Sequence, residues 1–313
     1  MGENLETRVI AGQTLVELGH EFPNLVVIGG DLNKSTHSNK FGAEFPDRFF
    51  DFGPAEQNMV SVAAGMAASG KIPIISTFSV FATSRPYDQI RLGLAQSSLN
   101  VKIVATHAGI ITGEDGISAH SIEDIALMTA LPNFKVIVPS DGIETVPAIR
   151  EAILTEGPAY IRLSRPATPV VHEGNCNFEI GKAEKLLNGS DATIIACGIM
   201  VDIAIKAAAS LASEDGINCR VLNMSTIKPI DEIAIVDSAL QTGAIITAEE
   251  HYIRGGLGSV VAQVVGSHSP VPIESVALPG YAESGTAEEL LTMQGLTTNH
   301  LREAVLKAIS RKN

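Results

Sequence analysis

Short runs of β-branched and aliphatic residues alternate along most of the chain with longer stretches whose apolar positions recur at helical spacing. Leu25 to Ile28, Ile72 to Thr77, Val101 to Thr106, Lys135 to Val138 and Ala159 to Leu163 read as strands, and Phe49 to Phe52 as a short strand end. Between them, Thr7 to Leu18, Met59 to Ala68, Tyr87 to Gln96, Glu123 to Ala130 and Ile143 to Leu154 carry a helical pattern. Strands that are apolar throughout belong in parallel sheets covered by helices on both faces. The expected architecture is therefore α/β and doubly wound.

After Leu163 the alternation breaks. Ser164-Arg165-Pro166-Ala167-Thr168-Pro169 and the Gly-, Asn- and Ser-containing stretch to Ser190 read as a connector with little regular structure. A second series follows: strands at Ala192 to Ala196, Asn218 to Leu222, Ala244 to Thr247 and Ile273 to Val276, a helix through Ala204 to Leu211, and a last helix from Leu301 to Ile309. The expected layout is a first doubly wound domain over 1–168, a linker over 169–190 and a smaller α/β domain over 191–313. The total of 313 residues, 45% of them apolar, suffices for two cores.

Charge narrows the partners. A net charge of -13 and a pI near 5.0 argue against nucleic acid, which needs a basic footprint on the protein. A few basic side chains can still converge on one small anion, because a local pocket is independent of net charge. Cys176, Cys197 and Cys219 are an odd, widely spaced set, so neither a disulfide framework nor a zinc site is indicated, and a reducing cytoplasm fits. Met1 to Arg8 mix charges of both signs, and no apolar run approaches the ~20 residues of a membrane span, so no membrane association is expected.

The densest candidate chemistry lies in Asp51 to Ala67. Glu56 stands there at a strand-to-helix corner of an otherwise apolar unit, where open parallel sheets bind ligands. Pro54 suits the first position of the following helix. A carboxylate at a helix start also satisfies free N–H groups and the helix dipole, so capping competes with ligand binding for Glu56. Phe78 and Phe81 follow at the next strand-to-helix passage, where core packing is the competing explanation. His107 to Gly116 adds a histidine and a Gly-Glu-Asp-Gly turn. Further on, His251, Tyr252, Arg254 and the Gly255-to-Gly258 turn lack the order of a nucleotide-phosphate loop and read as a helix start packed closely on a sheet.

On the Gly53-to-Gly65 segment, Ser76 to Phe81, Gly113 to Gly116 and the Leu163-Ser164-Arg165-Pro166 turn, the chain resembles the C-terminal half of transketolase, in the form where that enzyme is split into two polypeptides. The resemblance covers nearly the whole length. It implies a pyrimidine-binding domain followed by a transketolase C-terminal domain, and thiamine diphosphate as cofactor. Glu56 matches the family glutamate that hydrogen-bonds the cofactor's pyrimidine nitrogen, a role needing a carboxyl group shielded from water. Phe78 and Phe81 match the aromatic pocket around that ring, and Asp31 matches an aspartate that orders the cofactor-binding loops across the subunit interface. Arg8, Ser35, His107 and Arg165 match positions that grip the substrate's phosphate, for which guanidinium forks and a hydroxyl are suited, and Asp115 matches a contact to a sugar hydroxyl.

Two positions depart from the family pattern. Ser84 replaces a further aromatic, with Arg85 beside it, and Ala119 replaces a histidine that normally touches the donor sugar, while His120 stands one place later as a candidate substrate contact. The family binds Mg2+ (or Ca2+) through a Gly-Asp-Gly motif in its N-terminal half. Gly30-Asp31-Leu32 lacks the second glycine, and no metal ligand is assigned to this chain. The resemblance therefore implies an N-terminal transketolase subunit as partner, a heterotetramer, and transfer of a two-carbon ketol unit from a ketose phosphate to an aldose phosphate. The competing readings are a beta-type subunit of a 2-oxoacid dehydrogenase or a deoxyxylulose-phosphate-synthase-like enzyme and, in another class, a non-catalytic scaffold subunit.

Overall fold

The computed structural model describes residues 4–174 and 176–312. Strands β1 (Leu25–Gly29), β2 (Phe49–Asp51), β3 (Ile72–Ser76), β4 (Lys102–Ala105), β5 (Lys135–Ile137) and β6 (Ala159–Arg162) are parallel neighbours in the order β5-β6-β4-β3-β1-β2. Each of β1, β3, β4 and β6 is buried along its whole length. Because successive side chains leave a strand on opposite faces, neighbours in sequence feed different cores. Val27, Ile74, Val104 and Ile137 pack with Leu15, Leu18 and Ile149 from helices Thr7–Glu21 and Gly142–Leu154. Ile28, Ile75, Ile103 and Val136 pack instead with Met59, Val60, Leu94 and Ile125 on the other face. The sheet is doubly wound, as its apolar strands implied.

The second sheet contains β7 (Glu184–Leu187), β8 (Ala192–Ala196), β9 (Cys219–Asn223), β11 (Ile245–Tyr252) and β12 (Ile273–Leu278), in the order β12-β11-β8-β9-β7. All its pairs are parallel except β9 with β7. Strand β7 lies within the stretch expected to have little regular structure. Its Glu184 and Lys185 are exposed, so only half of it carries an apolar signal. Another missed strand, β10 (Thr226–Lys228), leaves the second unit and pairs antiparallel with β5, becoming an edge of the first sheet. One apolar cluster accordingly runs through both units, joining Val136 and Val138 to Ile195, Leu222, Met224 and Ile227.

Two helical expectations are modified. Tyr87 to Gln96 divides into a short α-helix, Tyr87–Gln89, and a π-helical segment, Ile90–Gln96. The helix after β2 begins at Glu56, with Ala55 as its cap, so Pro54 precedes it rather than opening it. The helix after β11 starts at Leu257, where Glu249 accepts hydrogen bonds from the backbone of Leu257 (2.7 Å) and Gly258 (2.8 Å). Among the described residues no helix is long and apolar enough to cross a membrane.

Candidate functional site

The parallel register brings the ends of five neighbouring strands level, and most of the sequence candidates sit on the loops that leave them. Asp51, at the end of β2, organises the first two loops. One oxygen accepts the backbone N–H groups of Asp31 (3.0 Å) and Gly53 (3.0 Å), and the other accepts the Asn33 amide (2.6 Å). Burial would raise the Asp51 carboxyl, but these three donors outweigh it and hold it below the usual range. Asp31 is thereby fixed with φ at +66°, a backbone state that aspartate tolerates. Together with Ser35, Asn39 and Phe49 it lines a cavity of about 540 Å3.

Glu56 does not cap its helix. Its carboxylate is 5% exposed and receives Arg85 Nη1 at 2.7 Å. The Arg85 guanidinium carbon lies 3.9 Å above the Phe81 ring centre. Phe81 is nearly parallel to Phe78 at 5.8 Å, and Phe78 is stacked on His107 at 3.6 Å. The result is a column of flat groups, His107, Phe78, Phe81 and Arg85, with Glu56 at the edge of its last member. The Glu56 end opens on a cavity of about 520 Å3 lined by Pro54, Ala55, Gln57, Asn58 and Arg85. His107, with φ at +58°, has Nδ1 2.8 Å from Thr106 Oγ1. Burial first, then the nearby Arg8, Arg165 and His37, pushes its imidazole down to about 3. It is a neutral group at physiological pH.

Arg8 and Arg165 line a third cavity, of about 270 Å3, with Glu6, Thr112, Gly113 and Glu114. Arg8 engages Glu6 through Nε (3.0 Å) and Nη2 (2.8 Å) and the Ser35 carbonyl through Nη1 (3.1 Å). Arg165 donates to the Thr112 carbonyl and lies 3.8 Å from Asp115 and 3.9 Å from Glu114, within Coulomb reach and beyond a hydrogen bond. The structure thus gathers Arg8, Ser35, His107, Asp115 and Arg165 about one corner. His120 is placed differently. It is 3% exposed, its Nε2 meets the Gly113 carbonyl at 3.0 Å, and its Nδ1 is buried without a partner among the described residues. The ring lies against the turn it follows, tied to the Gly113 carbonyl.

Sequence reasoning missed what holds these loops from below. Arg162, 6% exposed, donates to Asp124 (2.7 Å) and to the carbonyls of Ser121 (3.1 Å) and Glu250 (3.0 Å), while Tyr160 donates to the same Asp124 (2.5 Å). Glu250, from β11, accepts the Ile111 N–H at 2.7 Å, and burial pushes its carboxyl up to about 7 against the pull of Arg162. A Cβ on Gly109 would fall 2.1 Å from the Glu250 carboxyl, so this close approach requires glycine. The available signal was charge at the ends of otherwise apolar strands, Arg162 in one and Glu249-Glu250 in the other.

A second missed cluster lies in the connector. His172 bonds Asp141 through Nδ1 (2.9 Å) and Glu184 through Nε2 (2.8 Å), and Glu144, His172 and Cys176 have potential ligand atoms within 4.8 Å of one another. The Glu144 oxygens already accept from Ser140, Asn223 and Ser225, and both His172 nitrogens are engaged. The sequence had suggested no such grouping around Cys176.

Comparison with known proteins places these observations in a family. Residues 3–170 match the transketolase pyrimidine-binding domain and residues 181–301 the transketolase C-terminal domain. A Methanocaldococcus jannaschii protein described as a transketolase C-terminal section is 43% identical over 96% of this chain and 95% of its own length. The 6-deoxy-6-sulfo-D-fructose transketolase subunit of Clostridium sp. strain MSTE9 is 39% identical over 96% of this chain and 93% of its own length. A solved split-gene transketolase, an inactive β4 tetramer, superposes with a TM-score of 0.93 at 45% identity, covering 99% of this chain and 100% of that one. Against human transketolase, 38% identical, the chain spans only 50% of the relative's length.

Proposed function

The chain belongs to the transketolase family as a section carrying its pyrimidine-binding and C-terminal domains, and we propose that it is the C-terminal subunit of a split transketolase that moves a two-carbon ketol unit from a ketose phosphate to an aldose phosphate. Units 1–168 and 191–313, joined by 169–190, form its two domains on this reading. The observation that carries it is the Glu56 carboxylate, shielded from water beside the Phe81 face yet open to a cavity. A pyrimidine ring needs a stacking face and a carboxylate at its edge, so these residues fit the pyrimidine end of thiamine diphosphate. Thiamine diphosphate bound there supplies the carbon nucleophile that ketol transfer requires.

The chain's own residues orient and hold. Glu56 holds a proton at the ring nitrogen of the pyrimidine, kept in place by its position at the first turn of a packed helix. Phe78 and Phe81 fix the ring plane. Asp31, pinned through Asp51, orders the loops that close on the cofactor at the contact with the partner. Arg8, Ser35, His107 and Arg165 receive the terminal anion of the sugar, with neutral His107 offering a hydrogen bond instead of a charge. Asp115 reads a sugar hydroxyl, and His120 keeps the Gly113 turn in place for it.

The N-terminal transketolase subunit holds the diphosphate and Mg2+ (or Ca2+) on this reading, in a heterotetramer. Support comes from the half-length match to human transketolase and from the inactivity of the solved β4 tetramer, which lacks another kind of chain. One feature favours a second substrate terminus: Glu6 already takes two of the Arg8 donors, leaving a corner suited to a singly charged group. A sulfonate such as that of the Clostridium relative's sugar meets this condition.

The test is ketol transfer by this chain mixed with an N-terminal subunit, thiamine diphosphate and Mg2+, from xylulose 5-phosphate or 6-deoxy-6-sulfo-fructose to an aldose phosphate. Each chain alone and pyruvate as substrate serve as controls. Activity in the mixture alone is expected. Decarboxylation of pyruvate would point to the 2-oxoacid branch, and a stable cofactor-bound complex with no turnover on any substrate would leave a scaffold.

A further inference from the structure

Arg85 occupies the position that a flat, hydrogen-bonding ring would need. Its guanidinium is planar, covers the Phe81 ring at 3.9 Å, and donates to Glu56 at 2.7 Å. An aminopyrimidine stacked on Phe81 with a ring nitrogen toward Glu56 would use the same face and the same carboxylate oxygen. Both cannot be there together. The backbone around Arg85 is anchored, since its carbonyl accepts the Gln57 amide at 3.3 Å, whereas the side chain is 48% exposed and makes one ion pair. The guanidinium therefore has room to leave without moving the loop.

Resting on the reading above, we propose that Arg85 is a built-in occupant of the pyrimidine pocket, which stacks on Phe81 and satisfies Glu56 until the cofactor displaces it. Without Arg85, the cofactor-free site would present a desolvated carboxylate and a bare ring face. With it, that surface is covered, and the cofactor must compete with a tethered group. A ligand that requires a minor conformation binds with its intrinsic affinity reduced by the population of that conformation. One ion pair and one cation–π contact, both partly exposed, set that reduction at about tenfold.

Thiamine diphosphate binding to the two-chain complex, followed by calorimetry in excess Mg2+, tests this directly. Arg85→Ala should bind about tenfold more tightly than the wild type, and Arg85→Lys, which keeps the charge without the planar fork, should bind with intermediate affinity. Guanidinium chloride at about 0.1 M, against the same concentration of sodium chloride, should return Arg85→Ala toward the wild-type affinity. Equal or weaker binding by Arg85→Ala, in a complex whose circular dichroism and assembly match the wild type, would show that Arg85 is a fixed partner of Glu56 and overturn the inference alone. Failure of both the wild type and the variant to bind would remove the functional reading and this inference with it.

Discussion

Two arginine–carboxylate pairs sit at the carboxyl ends of the first sheet's strands, both at 2.7 Å, and they are built for opposite purposes. Arg162 is closed in on every side: Asp124, Tyr160, Ser121 and Glu250 surround it, and no part of the cluster reaches a cavity described above. Arg85 has one carboxylate, one ring face and an open side. The distance between the charges is the same; the number of alternative partners and the access of water differ. Where one guanidinium serves several buried acceptors, removing it strands them together in a low dielectric. Where one bond is made at a cavity rim, a ligand can replace it.

That contrast can be broken by substitution. Arg162→Ala should have the largest effect, about 3–5 kcal/mol of lost stability in denaturant unfolding, because Asp124 and Glu250 are left buried without their cation. A loss below about 1 kcal/mol would mean that water reaches the cluster. Glu56→Gln should leave unfolding almost unchanged while lowering ketol transfer by the assembled enzyme about 100-fold, within the range of a lost proton-transfer group. Near-normal turnover would remove Glu56 from the chemistry. Arg85→Ala should lower the unfolding free energy of the isolated chain by about 1.4 kcal/mol, the equivalent of the tenfold occupancy set by one half-exposed ion pair and one cation–π contact. A loss as large as that of Arg162→Ala would abolish the distinction between the two sites.

The connector histidine sharpens the comparison through pH. Burial lowers the His172 imidazole, but its bond to Asp141, the neighbouring Cys176 and the nearby Glu144 outweigh that and raise it from 6.5 to about 11. A cation bound more tightly in the folded state gives stability that is complete below the unfolded value, declines as pH rises beyond it, and is gone above the folded one. The stability difference between the wild type and His172→Gln should therefore shrink from pH 7 to pH 10 in parallel denaturant titrations. A difference constant across that range would show that His172 is held neutral.

Much of the fold was written in local pattern. Fully buried parallel strands announce themselves because both of their faces are apolar, and β1, β3, β4 and β6 were each recognisable within a residue or two. β7 and β10 were not: half of β7 is exposed, and β10 has only three residues, the last a lysine, so each carries too short an apolar signal. The candidate site divides along the same line. Glu56, Phe78 and Phe81 lie within a short span and formed a visible constellation, and the family spacing added Arg8, Asp31, Ser35, His107, Asp115 and Arg165. The Glu250 support of the Gly109 turn joins residues 139 positions apart, and the Arg85–Glu56 pair depends on how one loop folds over another. No periodicity encodes such contacts.

The loan of β10 to the first sheet has a mechanical meaning. A unit tethered only by a connector can swing, whereas one that has threaded a strand into its neighbour's hydrogen-bond ladder can swing only by tearing that ladder and baring the backbone of β5. The two halves of this chain are thus welded, and access to the Glu56 cavity has to come from side chains and loops at the rim. Proteolysis between them would leave the first fragment without the β10 edge of its sheet and the second with a strand that has lost its partner.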